Sequence, residues 1–204
     1  MKMIRVRTVL LLSACTIIGS INAMTETSGA SKEGTELIGT AAPAWEAVEW
    51  INSKPLTLDQ LRGKVVLVRW WTGPECPYCA ASAPNLTAWH QTYFQQGLVV
   101  IGFYHHKSPT PLSLAHVKGL MEQYHLTFPI AIDPGWQMLK RWWLDGHDRP
   151  WTSVSFLIDR DGMIRYIHPG GSYSETEANT IEALIRRLLN GNPVPGTKGT
   201  PKAE

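Results

Sequence analysis

Two short runs of β-branched and aromatic residues, Val65 to Trp71 and Leu98 to Tyr104, mark the chain's hydrophobic pattern. Both lack proline, are strand-sized, and predict buried strands. Between them, Ala80 to Gln96 has a helical pattern. Thr110-Pro111 predicts a second helix, with threonine as cap and proline at the first helical position, running to about Tyr124. Phe128 to Ile132 predicts a third buried strand. Asp133-Pro134 repeats the cap-and-proline signal and opens a helix through Trp143. Val154 to Ile158 and Met163 to Ile167 flank Asp159-Arg160-Asp161-Gly162, a hairpin turn. Ser174 and Glu177 form a capping-box pattern ahead of a final amphipathic helix ending near Asn190 and Gly191. Upstream, Ala41 to Ser53 holds a short strand and Arg62-Gly63-Lys64 a turn. Strand–helix alternation followed by a hairpin predicts an α/β chain, with a central mixed β-sheet flanked by helices on both faces. No internal repeat or second domain is visible.

The two ends follow different rules. Lys2, Arg5 and Arg7 precede an apolar run from Val9 to Ile21, and Ala23 is small enough for cleavage. This is the layout of a signal peptide over residues 1–23, too short and too interrupted to span a bilayer. Leu12-Ser13-Ala14-Cys15 offers a second reading, a lipoprotein signal that would anchor the chain to a membrane through Cys15. Residues 24–40 read as a flexible linker, 41–190 as the folded domain and 191–204 as a disordered tail. The full length of 204 residues, 44% hydrophobic, suffices for one core. Cleavage after Ala23 removes three cations and no acid, taking the formal net charge from +2 to −1. A near-neutral surface gives no reason to expect a nucleic-acid partner. The expected location is outside the cytoplasm, in a periplasm.

The leader changes how the cysteines are read. Of the three in the chain, Cys15 lies in the leader, leaving Cys76 and Cys79 in an oxidising compartment. They stand as Cys76-Pro77-Tyr78-Cys79 between a buried strand and a helix. Unpaired N–H groups and the positive end of the helix dipole favour a thiolate there, which is the nucleophile of thiol–disulfide exchange. Half a zinc site has the same spacing. A purely structural disulfide would close so small a loop that it constrains the unfolded chain little.

Several segments then coincide with one family. Leu58-Asp59-Gln60-Leu61-Arg62-Gly63-Lys64-Val65-Val66-Leu67-Val68, Trp71, the Cys-Pro-Tyr-Cys, Pro84 and Phe156-Leu157-Ile158-Asp159-Arg160-Asp161-Gly162 resemble the thioredoxin superfamily. The likeness is to its TlpA-like and AhpC/TSA-type redoxin branch and covers residues 41–190. It implies a thioredoxin-like fold and a thiol–disulfide oxidoreductase with no organic cofactor and no metal. Cys76 would attack and Cys79 would resolve the mixed disulfide. The partners would be disulfide-containing proteins or small thiols, together with an electron donor or acceptor. Trp71, Glu75, Pro77, Tyr78, Trp151, Thr152 and Ser153 are expected to line the site. Trp70, Trp142 and Trp143 are further candidates for an apolar groove, among nine tryptophans in all.

Three positions depart from the family pattern. The approach Thr72-Gly73-Pro74-Glu75 is longer than usual. Ser153 stands three residues before Phe156, where the family places a cis-proline, and Pro150 comes too early to fill that position. Arg69 occupies the central-strand position where thioredoxins bury an acid; it either stabilises the thiolate, pairs with Glu75, or snorkels to solvent. Glu75, if unpaired, would raise the thiol's pKa. Two alternatives come from other classes. A peroxiredoxin-type thiol peroxidase with antioxidant activity would want Thr or Ser where Gly73 stands, and has Arg69 in its upstream slot. A copper or zinc chaperone would recruit His105 or His106 to the two cysteines.

Overall fold

Val65–Trp71 becomes β2, the strand on which a six-stranded sheet is built in the computed structural model, which describes residues 33–47, 49–73 and 76–194. The other strands are β1 (Trp50–Ile51), β3 (Leu98–Tyr104), β4 (Ile130–Ile132), β5 (Val154–Ile158) and β6 (Ile164–Pro169). The helices are α1 (Pro77–Tyr93), α2 (Leu114–Gln123), α3 (Gln137–Leu139), which continues as a π-turn over Lys140–Leu144, and α4 (Glu175–Leu189). Strand order is β1-β4-β3-β2-β5-β6. β2, β3 and β4 run parallel, while β1, β5 and β6 pair antiparallel with their neighbours. The sheet is therefore mixed, as expected.

All seven residues of β2 are buried because the strand has neighbours on both edges and packed layers on both faces. Side chains alternate between the faces. Val65, Leu67 and Trp71 join the cores of α1, α2 and α4. Val66, Val68 and Trp70 meet α3, its π-turn, and the incoming residues Trp45, Leu58 and Leu61. Gly102 in β3 is a close-approach position. A β-carbon there would lie 2.5 Å from Ile130 Cδ1 and 2.9 Å from Trp71 Nε1, so glycine is what lets both side chains cover the strand.

The predicted capping box is present, with Ser174 Oγ accepting from the Glu177 amide and Glu177 Oε2 accepting from the Ser174 amide at 2.8 Å. Two other helix starts are corrected. α2 begins at Leu114 rather than at Pro111, because the Ser113 side chain accepts the His116 N–H and provides the cap that Thr110 was expected to supply. Asp133 does not cap the residues just after Pro134. Gly135 and Trp136 take left-handed conformations, and the carboxylate reaches further. It accepts the Met138 and Leu139 amides at 2.9 and 2.8 Å and the Trp70 indole N–H at 3.1 Å. The helix expected through Trp143 is thus a 3-10 turn, one short α-turn and a π-turn.

Both ends of the domain are longer than expected. Residues 33–40 of the expected linker fold back: Leu37 and Ile38 pack on the core, and the Gly39 N–H donates to Ile164 O. At the other end, Val194 is buried against the α1/α4 face and the Asn192 amide bonds Arg187 O. Apolar side chains at these positions account for both extensions. The predicted signal segment, Cys15, the rest of the linker and the tail from residue 195 lie outside the described residues, as do Pro74, Glu75 and the Pro77 side chain. No helix among the described residues is long and apolar enough to cross a membrane.

Asp133 joins the centre of the sheet to the layer above it. Asp133→Ala would leave two amides and a buried indole N–H without acceptors, each costing about 1–3 kcal/mol. Urea unfolding should show a loss of roughly 3 kcal/mol or more; a loss within 0.5 kcal/mol, the scale of an ordinary surface change, would refute this role.

Candidate active site

β2 carries the chain to the sheet edge where the cysteines sit. Cys76 takes the cap position of α1, with Pro77 as its first helical residue. The Cys76 amide donates to Gly73 O at 2.9 Å and the Cys79 amide to Cys76 O at 3.0 Å. Both cysteines are free thiols; Cys76 is half-buried and Cys79 buried. Opposite them, antiparallel β5 brings in the preceding segment. Ser153 Oγ lies 3.7 Å from Cys76 Sγ and 3.4 Å from Cys79 Sγ. The Ser153 carbonyl accepts the Gly170 N–H at 2.8 Å, which fixes the residue in place. Every described peptide bond is trans, including the one before Pro150.

Arg69 neither snorkels nor reaches the surface; it is fully buried. It shares the β2 face of Leu67 and Trp71 and pairs with Ser155 across the antiparallel ladder. Its Nη1 donates to Ser155 Oγ at 3.1 Å and Gly170 O at 2.7 Å, and Nη2 to Gly171 O at 2.5 Å. The guanidinium lies 5.4 Å from the centre of the Tyr173 ring, whose hydroxyl bonds Ser155 Oγ at 2.6 Å. This clamp holds the segment after β6 against the cysteines. Gly171 is the contact: a β-carbon there would come within 2.3 Å of Tyr78 Cβ and 3.4 Å of Cys76 Sγ.

The two sulfurs titrate in opposite directions. Cys76 is lowered from 9.0 to about 5, chiefly by the hydrogen bond from the Cys79 thiol, against the effect of burial. The Ser153 hydroxyl, the Cys79 amide and the Arg69 charge lower it further. Cys79 is pushed well up by sharing its proton with Cys76 and by burial. The pair therefore holds one proton and one negative charge, with the charge on the less buried sulfur.

The expected site residues divide clearly. Tyr78 and Trp151 are 55% and 47% exposed and flank a groove of about 200 Å³ that contains Cys76, Lys107, Thr152 and Ser153. A second hollow of about 310 Å³ adjoins it, bounded by Tyr78, Trp151, His168 and Glu177. Trp71 is core, edge-on to Tyr104 and Tyr124. Trp70, Trp142 and Trp143 do not line the groove either. They pack with Phe103 and Phe156 on the far face of the sheet. Trp143 contributes indirectly, its indole N–H donating to Trp151 O at 2.7 Å. A larger groove of about 700 Å³, between β1 and α2, is lined by residues such as Trp50 and His125 and by neither cysteine.

The two histidines turn elsewhere. His105 is buried, lowered to about 3 by desolvation and then by the Lys107 charge, and bonds Thr152 Oγ1 at 3.3 Å. His106 bonds the Tyr104 hydroxyl and Thr110 O. Among the described residues no group of three or more His, Cys, Asp or Glu is placed to hold a metal. Sequence reasoning missed Ser155, Tyr173, Gly171 and Lys107. A signal was available for one of them: Ser155 is a polar residue inside the apolar run of β5, opposite Arg69.

A family model described as Redoxin matches residues 38–185. The chain is 30% identical over 185 residues to Protein DipZ of Mycobacterium tuberculosis, covering 89% of this chain and 25% of that protein. It thus spans about a quarter of the length of that relative. Thiol-disulfide oxidoreductase ResA of Bacillus cereus is 30% identical over 134 residues, 66% of this chain and 70% of ResA. The crystal structure of a thioredoxin-like superfamily protein superposes with a TM-score of 0.61 at 25% identity, covering 76% of this chain and 99% of that one. The chain belongs to the redoxin family, within the thioredoxin superfamily.

Proposed function

We propose that the protein is an exported thiol–disulfide oxidoreductase in which Cys76 attacks a substrate disulfide and Cys79 releases the product. The observation that carries this reading is the division of labour between the sulfurs. Cys76 opens on the groove and is lowered to about 5, while Cys79 is buried and raised. A thiolate at neutral pH is the attacking species, and a buried neighbour one helical turn on is placed to displace it. The name carried by ResA and the Redoxin family match of this chain support the same chemistry. The substrates are protein disulfides or small thiols, with a separate electron donor or acceptor to complete the cycle and no organic cofactor. Export rests on the leader pattern of Lys2, Arg5, Arg7, Val9 to Ile21 and Ala23. A peroxidase reading gains no support from the site: Gly73 offers no hydroxyl, and both Nη groups of Arg69 are engaged by Ser155, Gly170 and Gly171.

Stabilising the thiolate favours the reduced form over the disulfide and so raises the reduction potential. It also links stability to pH. The folded pKa of Cys76 lies below its unfolded value, so its contribution is complete above about 9 and is lost as pH falls through about 5. The disulfide form has no such thiol. Reduced protein should therefore lose stability relative to oxidised protein as pH falls from 9 to 5, measured by urea unfolding of each form; parallel curves would contradict the thiolate.

Alkylation of Cys76 by iodoacetamide should rise with pH to a plateau, with a midpoint near 5 rather than 9. Cys79→Ala should move that midpoint upward, because it removes the largest stabilising hydrogen bond. A midpoint near 9 in the wild-type protein would refute the assignment. In insulin reduction, Cys76→Ser should abolish turnover and Cys79→Ser should trap mixed disulfides; full turnover by Cys76→Ser would end the proposal.

A further inference from the structure

The second half of the cycle has a proton to dispose of. Cys79 must lose its proton as its sulfur attacks Cys76, and its thiol is held neutral by the hydrogen bond to Cys76 and by burial. Among the described residues, the groups acting on the two sulfurs are one another, Ser153, backbone amides and Arg69, with no carboxylate. Arg69 stands on β2 beside Cys79 as a cation and cannot accept a proton. His105, at the end of β3, directs Nε2 to Thr152. Tyr173, ahead of α4, engages Ser155. His168 of β6 faces Glu177 at 3.2 Å, and Lys107 across the groove is a cation. In the free dithiol the Cys76 thiolate shares the Cys79 proton. Once Cys76 is bonded to substrate that acceptor is gone, and among the described residues one hydroxyl remains hydrogen-bonded to the sulfur: Ser153 Oγ, 3.4 Å from Cys79 Sγ.

We propose that Ser153 is a catalytic residue that relays the Cys79 proton to the departing substrate sulfur during resolution of the mixed disulfide. The inference rests on Cys76 and Cys79 acting as proposed above. Ser153 is suited to the task because it touches both sulfurs and also lines the open groove. A hydroxyl accepts one proton while donating another, so it passes charge without carrying any. In this step the Cys79 Sγ–Cys76 Sγ bond forms and the bond from Cys76 Sγ to the substrate sulfur breaks. The Cys79 proton moves to Ser153 Oγ as the serine's own proton moves to the leaving sulfur. The products of this step are the Cys76–Cys79 disulfide and a substrate thiol, and no outside base is consumed; over both steps two protein thiols are oxidised and one substrate disulfide is reduced to two thiols. A proline at this position could neither accept nor donate.

The test follows the full chain mixed in reduced form with 2-hydroxyethyl disulfide, quenched with acid at timed intervals and weighed as intact protein. Wild type should pass through the Cys76 adduct to the internal disulfide with little accumulation. Ser153→Ala should form the adduct but resolve it about a hundredfold more slowly at pH 7, the scale of a lost proton-transfer group. That deficit should shrink as pH rises, when hydroxide takes over. Ser153→Thr should resolve near the wild-type rate, while Ser153→Val, of the same shape without the hydroxyl, should not; this pair carries the test should the alanine variant fold poorly. Equal resolution rates in the Thr and Val variants, or a wild-type rate in Ser153→Ala, would overturn the relay. Failure of Cys79→Ser to form any adduct would instead overturn the function proposed for the cysteine pair and leave Ser153 with no reaction to serve.

Discussion

A guanidinium buried in the middle of a sheet costs several kcal/mol in lost hydration unless polar groups replace the water. At Arg69 the replacement is specific: the Ser155 hydroxyl, the Gly170 and Gly171 carbonyls and the face of Tyr173. These partners come from β5, from the segment after β6 and from the approach to α4. One side chain therefore ties the central strand to the segments that close around the cysteines. The same positive charge helps hold negative charge on Cys76. Geometry and reactivity at the site share a single anchor.

The sheet's two faces divide the remaining work. The face under α1, α2 and α4 carries the cysteines, Arg69 and Tyr173. The opposite face is packed with aromatic rings, among them Trp70 stacked on Phe103 with centres 4.9 Å apart. That layer is not inert toward the site. Trp143 holds the Trp151 carbonyl and stacks against the Arg149 guanidinium at 3.8 Å, while Arg149 donates to Trp143 O. The segment bearing Trp151, Thr152 and Ser153 is thus braced from behind before β5 begins. A side chain facing two sulfurs needs such bracing, because a shift of a few tenths of an ångström alters a hydrogen bond to sulfur.

Strand bounds were legible where pattern and packing agree. Val65–Trp71 and Leu98–Tyr104 run as predicted because strands with neighbours on both edges and covering layers on both faces need largely apolar stretches. The Ser174–Glu177 box was legible because both halves of the cap lie within four residues. Thr110 and Asp133 misled for a common reason: a cap signal is local, but the residues it serves are chosen by how the chain packs. Ser113 is the residue whose side chain caps α2, and Asp133 reaches past a left-handed pair to amides five and six residues on. The tryptophans misled because sequence neighbours alternate between faces, so Trp70 and Trp71 look in opposite directions. Arg69 and Ser153 stood out in the sequence as departures from the family pattern. What each departure did became visible only with hydrogen-bond partners 74 to 102 positions away in the chain.

Tyr78, Lys107 and Trp151 occupy three separate segments at the groove's rim, and all three are exposed. None of them supplies a hydrogen bond to either sulfur. Under the function proposed above, change at the rim would redirect which molecules dock without retuning the acidity of the nucleophile beneath. A lineage built on this scaffold is free to exchange its clientele while its sulfur chemistry stays in place.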